Sequence, residues 1–244
     1  MTDWSDTASA TAAVEVSALT RSFGVRKALD NVSFTLASGA FLTIFGHNGA
    51  GKTTLLRILA TLEQPSSGTV QVLGRSTKKD AEEIRARIGF ISHQPLLYAD
   101  LTAEENLMFF ARLYDVEGAR QKVRALLAQT GLAARSLDVV RTFSRGMLQR
   151  LSLARALIHD PELILLDEPY TGLDPQGVRT LDSLIEEIQG ERSFIMVSHQ
   201  IDAGLERATH VLTLNKGQLS FFGTRDEFTA LPAQSSTKVT GRFQ

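Results

Sequence analysis

The segment Gly46-His47-Asn48-Gly49-Ala50-Gly51-Lys52-Thr53 lies between two apolar runs, FLTIF at residues 41–45 and TLLRILATL at residues 54–62. It matches the pattern G-x-x-x-x-G-K-[ST], which binds phosphate when a strand precedes it and a helix follows it. Glycines allow backbone N–H groups to turn towards phosphate oxygens, and the helix N-terminus adds partial positive charge. We therefore expect Lys52 to reach the outer phosphates of a nucleotide and the Thr53 hydroxyl to ligate Mg²⁺.

A second part of the candidate site comes after the apolar run at residues 163–166, which is followed by Asp167 and Glu168. A strand end beside a phosphate loop is where a carboxylate would hold Mg²⁺. A carboxylate can act as general base only if it does not itself ligate the metal. We therefore expect Asp167 to ligate the metal and Glu168 to act as general base for an attacking water. Taken alone, the two acids also fit an ordinary turn before Pro169.

The pattern of apolar residues predicts an α/β fold. Short apolar runs of strand length alternate with amphipathic helices, which is typical of a mainly parallel sheet. The candidate buried strands are residues 41–45, 88–92, 163–166 and 194–198.

Other segments have the alternation of antiparallel strands, at residues 14–18, 32–36 and 69–73. Residues 210–214 and 218–222 flank Asn215-Lys216-Gly217 and predict a hairpin. Between the α/β parts, residues 101–132 form a block with helical periodicity, which begins with a capping box of Thr102 and Glu105.

The composition excludes several classes of site. None of the 244 residues is cysteine, so a disulfide framework, an iron–sulfur cluster, a thiolate zinc site and a cysteine nucleophile are ruled out. The 26 basic and 27 acidic residues nearly balance, whereas nucleic-acid binding usually needs a basic excess, so we expect no nucleic-acid partner. The apolar runs fall well short of the roughly 20 residues of a membrane-spanning helix.

The two ends of the chain differ from the rest. Residues 1–13 are small, polar and acidic, without the features of a secretory signal, so we expect a disordered segment and a cytoplasmic protein. Residues 232–244 have no periodicity and predict a flexible tail. The interval 14–231 then forms one domain.

Residues 143–147, Phe-Ser-Arg-Gly-Met, complete a set of motifs that resembles the ATP-binding subunit of an ABC transporter over residues 14–231. The family signature is usually L-S-G-G-Q, and this chain departs from it at three positions while keeping Ser144 and Gly146. Arg145 either points to solvent or adds positive charge near the nucleotide. The resemblance implies a P-loop NTPase core with an antiparallel β-subdomain and an inserted helical subdomain at about 101–157.

The same resemblance implies roles for residues that carry little information singly. Phe23 resembles the aromatic that stacks on adenine, and Gln94 the residue that touches Mg²⁺ and couples to the membrane partner. Gly172-Leu173-Asp174 looks like the loop that crosses to the second subunit, and His199 like the histidine near the γ-phosphate. Ser144 also stands at an N-cap position, where its hydroxyl and free N–H groups can bind an anion.

Together the motifs and the resemblance assign three sets of residues. The catalytic set is Lys52, Glu168 and His199, and the metal set is Thr53, Gln94 and Asp167. The nucleotide-binding set is Phe23, Gly46, His47, Asn48, Gly49, Ala50, Gly51, Lys52, Thr53, Thr54, Gln94, Ser144, Gly146 and Asp174. The implied cofactors are ATP and Mg²⁺, and the implied partners are a second, identical ATPase copy and integral membrane permease subunits on the cytoplasmic face of the inner membrane.

The cargo is less directly indicated. The stretch at residues 91–107 and Arg141-Thr142-Phe143 resemble the ATP-binding subunit of the haem exporter of cytochrome c maturation, and the pattern S-[KR]-G-M-x-Q-R resembles export-type subunits. The alternative is an exporter of a drug, a lipid or a polysaccharide. Soluble family members of DNA repair carry a long coiled-coil insertion, for which the interval from Lys52 to Ser144 is too short, and those of translation carry two cassettes. A phosphate-binding module without turnover would not need Glu168.

A final expectation concerns the loop after Gln94. Leu96, Leu97 and Tyr98 lie between Pro95 and Asp100, so we expect a surface loop that offers apolar side chains to the membrane partner. Core packing is the competing interpretation for these three residues.

Overall fold

A computed structural model describes residues 12–92 and 94–231. The predicted terminal segments therefore lie outside the described residues, apart from Ala12 and Ala13, which belong to the first strand and not to an N-terminal extension. The strands are β1 Ala12–Phe23, β2 Arg26–Ala37, β3 Phe41–Gly46, β4 Ser67–Val72, β5 Arg75–Ser76, β6 Ile88–Ile91, β7 Leu163–Asp167, β8 Ser193–Val197, β9 His210–Asn215 and β10 Gln218–Thr224. The α-helices are α1 Lys52–Leu59, α2 Ala81–Arg85, α3 Ala103–Leu113, α4 Ala119–Gln129, α5 Arg145–Ala156, α6 Pro175–Gln189, α7 Ile201–Glu206 and α8 Arg225–Thr229.

A six-stranded sheet in the order β10-β9-β3-β8-β7-β6 forms the centre of the molecule. All neighbouring pairs are parallel except β9 and β10, which form the predicted hairpin. Every residue of β3, β7 and β8 is buried, because helices or a second sheet cover both faces. The carboxyl ends of β3 and β7 therefore lie at the same edge of the sheet, separated by β8.

The second sheet is antiparallel, in the order β2-β1-β4-β5. Its strands alternate buried and exposed residues, so one face packs on a core shared with α1 and β3. β1 and β2 are longer than the patterns at residues 14–18 and 32–36 predict. Four register shifts along their ladder interrupt the alternation on which that prediction depended.

The helical block between β6 and β7 contains α3, α4 and α5, which pack on the opposite face of the central sheet. The capping box is confirmed: Glu105 N–H donates to Thr102 Oγ1 at 3.1 Å, and Thr102 N–H donates to Glu105 Oε2 at 2.8 Å. Between β6 and β7 the only strand-like pairing among the described residues is an isolated bridge from Thr102 to Val139. The outer limits of the helical subdomain stay a prediction.

Candidate functional site

The phosphate loop connects β3 to α1 and depends on two glycines. Gly46 has φ of 153° and Gly51 has φ of 105°, and a Cβ at either position would collide with a backbone carbonyl, that of Leu214 or that of Ala28. Only glycine fits such positions without strain. The loop turns tightly as a result, and Ala50 N–H donates to His47 O at 3.0 Å.

Lys52 is the buried cation of this loop. Its Nζ donates to the carbonyl oxygens of Gly46 at 2.7 Å and His47 at 3.1 Å. Burial lowers the pKa of Lys52, and the nearby carboxylates of Glu168 and Asp167 act in the opposite direction. The ammonium group is thus already held by backbone oxygens inside the loop that is expected to receive phosphate.

Asp167 and Thr53 meet at the carboxyl end of β7. Thr53 Oγ1 donates to Asp167 Oδ1 at 3.2 Å, and the Asp167 residue is only 3% exposed. A hydroxyl and a carboxylate are the hard oxygen ligands that Mg²⁺ prefers, with phosphate oxygens and water completing the octahedron. The described residues include no cluster of three or more metal-ligating side chains. The two oxygen donors of Thr53 and Asp167 therefore fit a metal that is shared with a bound nucleotide better than a metal that is held by protein side chains alone.

Glu168 occupies an unusual backbone conformation, with φ of 52°. A non-glycine residue in this region is strained, and such strain concentrates at functional sites. The conformation is held because Glu168 N–H donates to Val197 O at 3.0 Å. On the carboxylate, Oε2 accepts from Thr171 Oγ1 at 3.2 Å and lies 3.3 Å from His199 Nδ1.

A pocket of about 340 Å³ opens over the phosphate loop. Phe23 stands at its rim, 48% exposed, and the Arg21 guanidinium lies 4.4 Å from the centre of the Phe23 ring. The pocket brings together eight predicted site residues, namely Phe23, Asn48, Gly49, Gly51, Lys52, Thr53, Thr54 and Glu168.

Sequence reasoning missed two lining residues, Arg26 and Ala28. Arg26 pairs with Phe23 across the β1–β2 turn, and that register is the signal that would have placed it. When the strand bounds are unknown, nothing in the local sequence indicates that Arg26 lies beside Phe23.

Nine predicted residues do not line this pocket. Gly46, His47, Ala50, Asp167 and His199 are connected to the phosphate loop or to Glu168 by the contacts above, whereas Gln94, Ser144, Gly146 and Asp174 belong to other segments. Gln94 is exposed, and its carbonyl oxygen accepts from Ser92 Oγ at 2.5 Å. Ser144 caps α5 by accepting from Met147 N–H at 3.3 Å, with Gly146 in the same turn. Asp174 caps α6 by accepting from Gly177 N–H at 2.7 Å. The predicted contacts of these residues with nucleotide thus require a second copy or a movement of the chain.

Arg145 is exposed, as the first of its two predicted courses requires, and it also makes a contact that the sequence did not predict. Its guanidinium lies against Gly172 of the same chain: a Cβ on Gly172 would be 2.5 Å from Cζ and 2.6 Å from Nη1. Beside it is a crevice of about 340 Å³, lined by Pro95, Arg145, Leu148, Gln149, Glu168 and Thr171.

The chain belongs to the ABC transporter family, whose family model matches residues 29–171. Its ATP-binding subunits are P-loop ATPases with this arrangement of mixed α/β sheets and helices. The chain is 38% identical over 208 residues to the bacitracin transport ATP-binding protein of Bacillus licheniformis, covering 84% of this chain and 68% of that protein. It is 35% identical over 221 residues to a daunorubicin resistance ATP-binding protein of Streptomyces coeruleorubidus, covering 89% and 70%.

A solved structure is similar over most of the chain. It is a dimeric ATP-binding cassette in a post-hydrolysis state with ADP and Pi, with a TM-score of 0.79 and 26% identity over 87% of this chain and 98% of that one. The chain is accordingly an ATP-binding transporter subunit and an ATPase. Within residues 12–92 and 94–231, no helix has both the length and the apolar character needed to cross a membrane.

Proposed function

We propose that this chain hydrolyses ATP as a homodimer on the cytoplasmic face of a membrane and thereby powers an exporter of a small molecule. The observation that carries the proposal is the position of Glu168, whose strained backbone and two side-chain contacts hold a carboxylate at the edge of the phosphate-loop pocket. Such a carboxylate is suited to accept a proton from a water molecule that attacks the γ-phosphorus. Residues 14–231 act in this proposal as one ATP-binding domain.

The residues around Glu168 have separate tasks in this reaction. Lys52 and the loop N–H groups hold the phosphates, and Thr53 and Asp167 would hold Mg²⁺, which would neutralise part of the phosphate charge. Water forms a bond to the γ-phosphorus as the bond to the ADP oxygen breaks, and the proton of that water passes to Glu168. In the proposal His199, 3.3 Å away, orients the carboxylate and contacts the γ-phosphate.

The proposed dimer uses Ser144, Gly146 and Asp174, which do not line the pocket. Ser144 and Gly146 form the N-terminus of α5, where free N–H groups and the helix dipole attract an anion. In the proposal they bind the γ-phosphate of ATP on a second copy, and Asp174 crosses the same interface. Hydrolysis removes the bridging γ-phosphate contact and lets the copies part.

The proposed membrane partner binds an apolar strip on the helical block. Leu96, Tyr98 and Phe109 are each 41–49% exposed, and the Tyr98 and Phe109 rings lie 4.9 Å apart. Leu113 is 64% and Leu137 75% exposed, and both line an adjoining groove of about 870 Å³ together with Phe109. Exposed apolar side chains grouped in this way favour a protein partner.

For the cargo, the bacitracin and daunorubicin relatives support a drug, and neither of them is named for haem. The two cargoes predict different phenotypes. If the cargo is a drug, deleting the gene in its host should increase sensitivity to antibiotics such as bacitracin or daunorubicin and leave c-type cytochromes intact. Loss of c-type cytochromes with unchanged antibiotic sensitivity would favour the haem exporter that residues 91–107 resemble. Restoration by the unmodified gene and not by its Glu168→Gln variant would tie either phenotype to ATP turnover.

A further inference from the structure

The signature substitution Arg145 is not used by the proposed mechanism, yet it makes a specific contact. A Cβ on Gly172 would lie 2.5–2.7 Å from three atoms of the Arg145 guanidinium, so the planar group lies directly on the Gly172 backbone. Gly172 has φ of 72°, and a side chain there would strain the backbone and displace the arginine. Among the residues that the structure describes, no carboxylate forms an ion pair with Arg145.

A second contact joins the same two segments. A Cβ on Gly146 would lie 3.9 Å from Cδ2 of Leu173. Gly146 follows Arg145 and Leu173 follows Gly172, so this contact lies next to the first one. Leu173 N–H in turn donates to Tyr170 O at 3.1 Å. The start of α5 therefore lies beside Gly172 and Leu173 of this turn.

This turn carries the group that orients the general base. Thr171 precedes Gly172 and donates from Oγ1 to Glu168 Oε2 at 3.2 Å, while its N–H donates to Glu168 O at 3.1 Å. A displacement of Gly172 would move the Thr171 hydroxyl, because the two residues share a peptide unit. The contacts run from Arg145 through Gly172 and Thr171 to Glu168, and Arg145 and Glu168 line the same crevice.

We infer that Arg145 is a positioning residue, which holds the 168–173 turn so that Thr171 keeps the Glu168 carboxylate in its working orientation. The inference rests on the proposed function of Glu168 as general base. It also links, within one chain, the segment proposed to bind ATP of the second copy and the proposed general base. The segment that would touch ATP on the second copy supports the base that acts on the chain's own ATP.

The test compares ATP turnover by the full-length chain and its Arg145→Ala variant. Because an ångström-scale displacement of a catalytic group costs up to about 100-fold in rate, we expect kcat to fall about tenfold or more. KM and the nucleotide dissociation constant should stay within about twofold. Arg141→Ala is the matched control, since Arg141 is exposed, lies just before the signature and pairs only with Asp100 among the described residues. Its kcat should stay within about twofold of the unmodified value.

A double-mutant cycle with Thr171→Val identifies the route. If Arg145 acts through the Thr171 hydroxyl, Arg145→Ala should cost little further kcat once that hydroxyl is absent. Unchanged kcat in Arg145→Ala, an equal loss in Arg141→Ala, a loss confined to nucleotide affinity, or losses that multiply in the double variant would each overturn the inference. Turnover by the unmodified chain tests the proposed function separately, so the two failures are distinguishable.

Discussion

His199 Nδ1 lies 3.3 Å from Glu168 Oε2, although 31 positions separate the two residues along the chain. β7 and β8 are adjacent parallel strands, and Glu168 and His199 each follow the carboxyl end of one of them. The pairing is therefore a consequence of sheet order. It places a group that can donate or accept a proton next to the only carboxylate on the described rim of the phosphate-loop pocket.

The first prediction concerns this pair. His199→Ala removes one of two contacts that orient the Glu168 carboxylate, so kcat for ATP should fall roughly tenfold to 100-fold, with nucleotide binding retained. Steady-state ATPase assays and nucleotide titration measure the two quantities. His210→Ala, at the start of β9, serves as the control and should keep its turnover. A His199→Ala variant with normal kcat would remove His199 from the proposed catalytic set.

Lys52→Ala tests the phosphate loop. The ammonium group is buried within 2.7 Å of Gly46 O, and its loss removes a charge-assisted contact to phosphate worth about 1.5–3 kcal/mol, so affinity for ATP should fall about tenfold or more. Titration with a fluorescent nucleotide measures the change. Lys27→Ala is the matched control, because Lys27 is exposed and pairs with Asp30 at 2.9 Å. Equal affinities for the Lys52→Ala and unmodified chains would contradict the loop assignment.

The apolar strip predicts a separable docking defect. Leu96 and Tyr98 are about half exposed, whereas Leu97 packs partly against the core, so only Leu96 and Tyr98 are available for the proposed docking. Replacing Leu96 and Tyr98 with serine should weaken capture by a membrane subunit that co-purifies with the unmodified chain from its host, and should change the melting temperature by less than about 2 °C.

The control for that experiment is Leu62→Ser, since Leu62 has the same 47% exposure as Leu96 but follows α1, away from the strip. Capture should be normal in this variant. Normal capture of the Leu96 and Tyr98 double variant, or an equal loss in Leu62→Ser, would show that the partner binds elsewhere.

A pH effect on stability should arise at His159, outside the nucleotide pocket. Its ring stacks on Tyr114 with ring centres 4.0 Å apart, and Nε2 lies 2.9 Å from Ile88 O. Burial is the largest influence and lowers the pKa of His159 below its usual value. As pH falls through about 6.5, the unfolded chain binds a proton that the folded chain resists, so the free energy of unfolding decreases.

Chemical denaturation at about pH 7.5 and about pH 5.5 checks this expectation. The unmodified chain should lose more stability over that interval than His159→Gln, which has no proton to bind. Parallel losses in the two proteins would mean that other groups account for the effect.

The features that could be predicted from the sequence are local. The phosphate loop, the β7 run ending in Asp167 and the capping box of α3 each depend on residues a few positions apart, which determine backbone conformation directly. The hairpin of β9 and β10 is signalled in the same way by its turn.

The features that escaped prediction depend on tertiary contacts. The place of β9 beside β3 follows from long crossover connections, which short patterns do not encode. The positive φ of Glu168 exists because Val197 O holds its N–H, and the Arg145 contact exists because α5 packs beside the 170–173 turn. Neither partner is close in sequence, so the contact of Arg145 with Gly172 could not be predicted from local patterns.

The most direct test of the account is ATP-dependent association of Glu168→Gln. The amide keeps the shape of the side chain and loses the base, so turnover should fall at least about 100-fold while ATP still binds. Light scattering of this variant should then give the mass of a dimer with ATP and Mg²⁺ and of a monomer with ADP. A monomer at saturating ATP, or turnover within about threefold of the unmodified chain, would contradict hydrolysis by Glu168 in an ATP-bridged dimer.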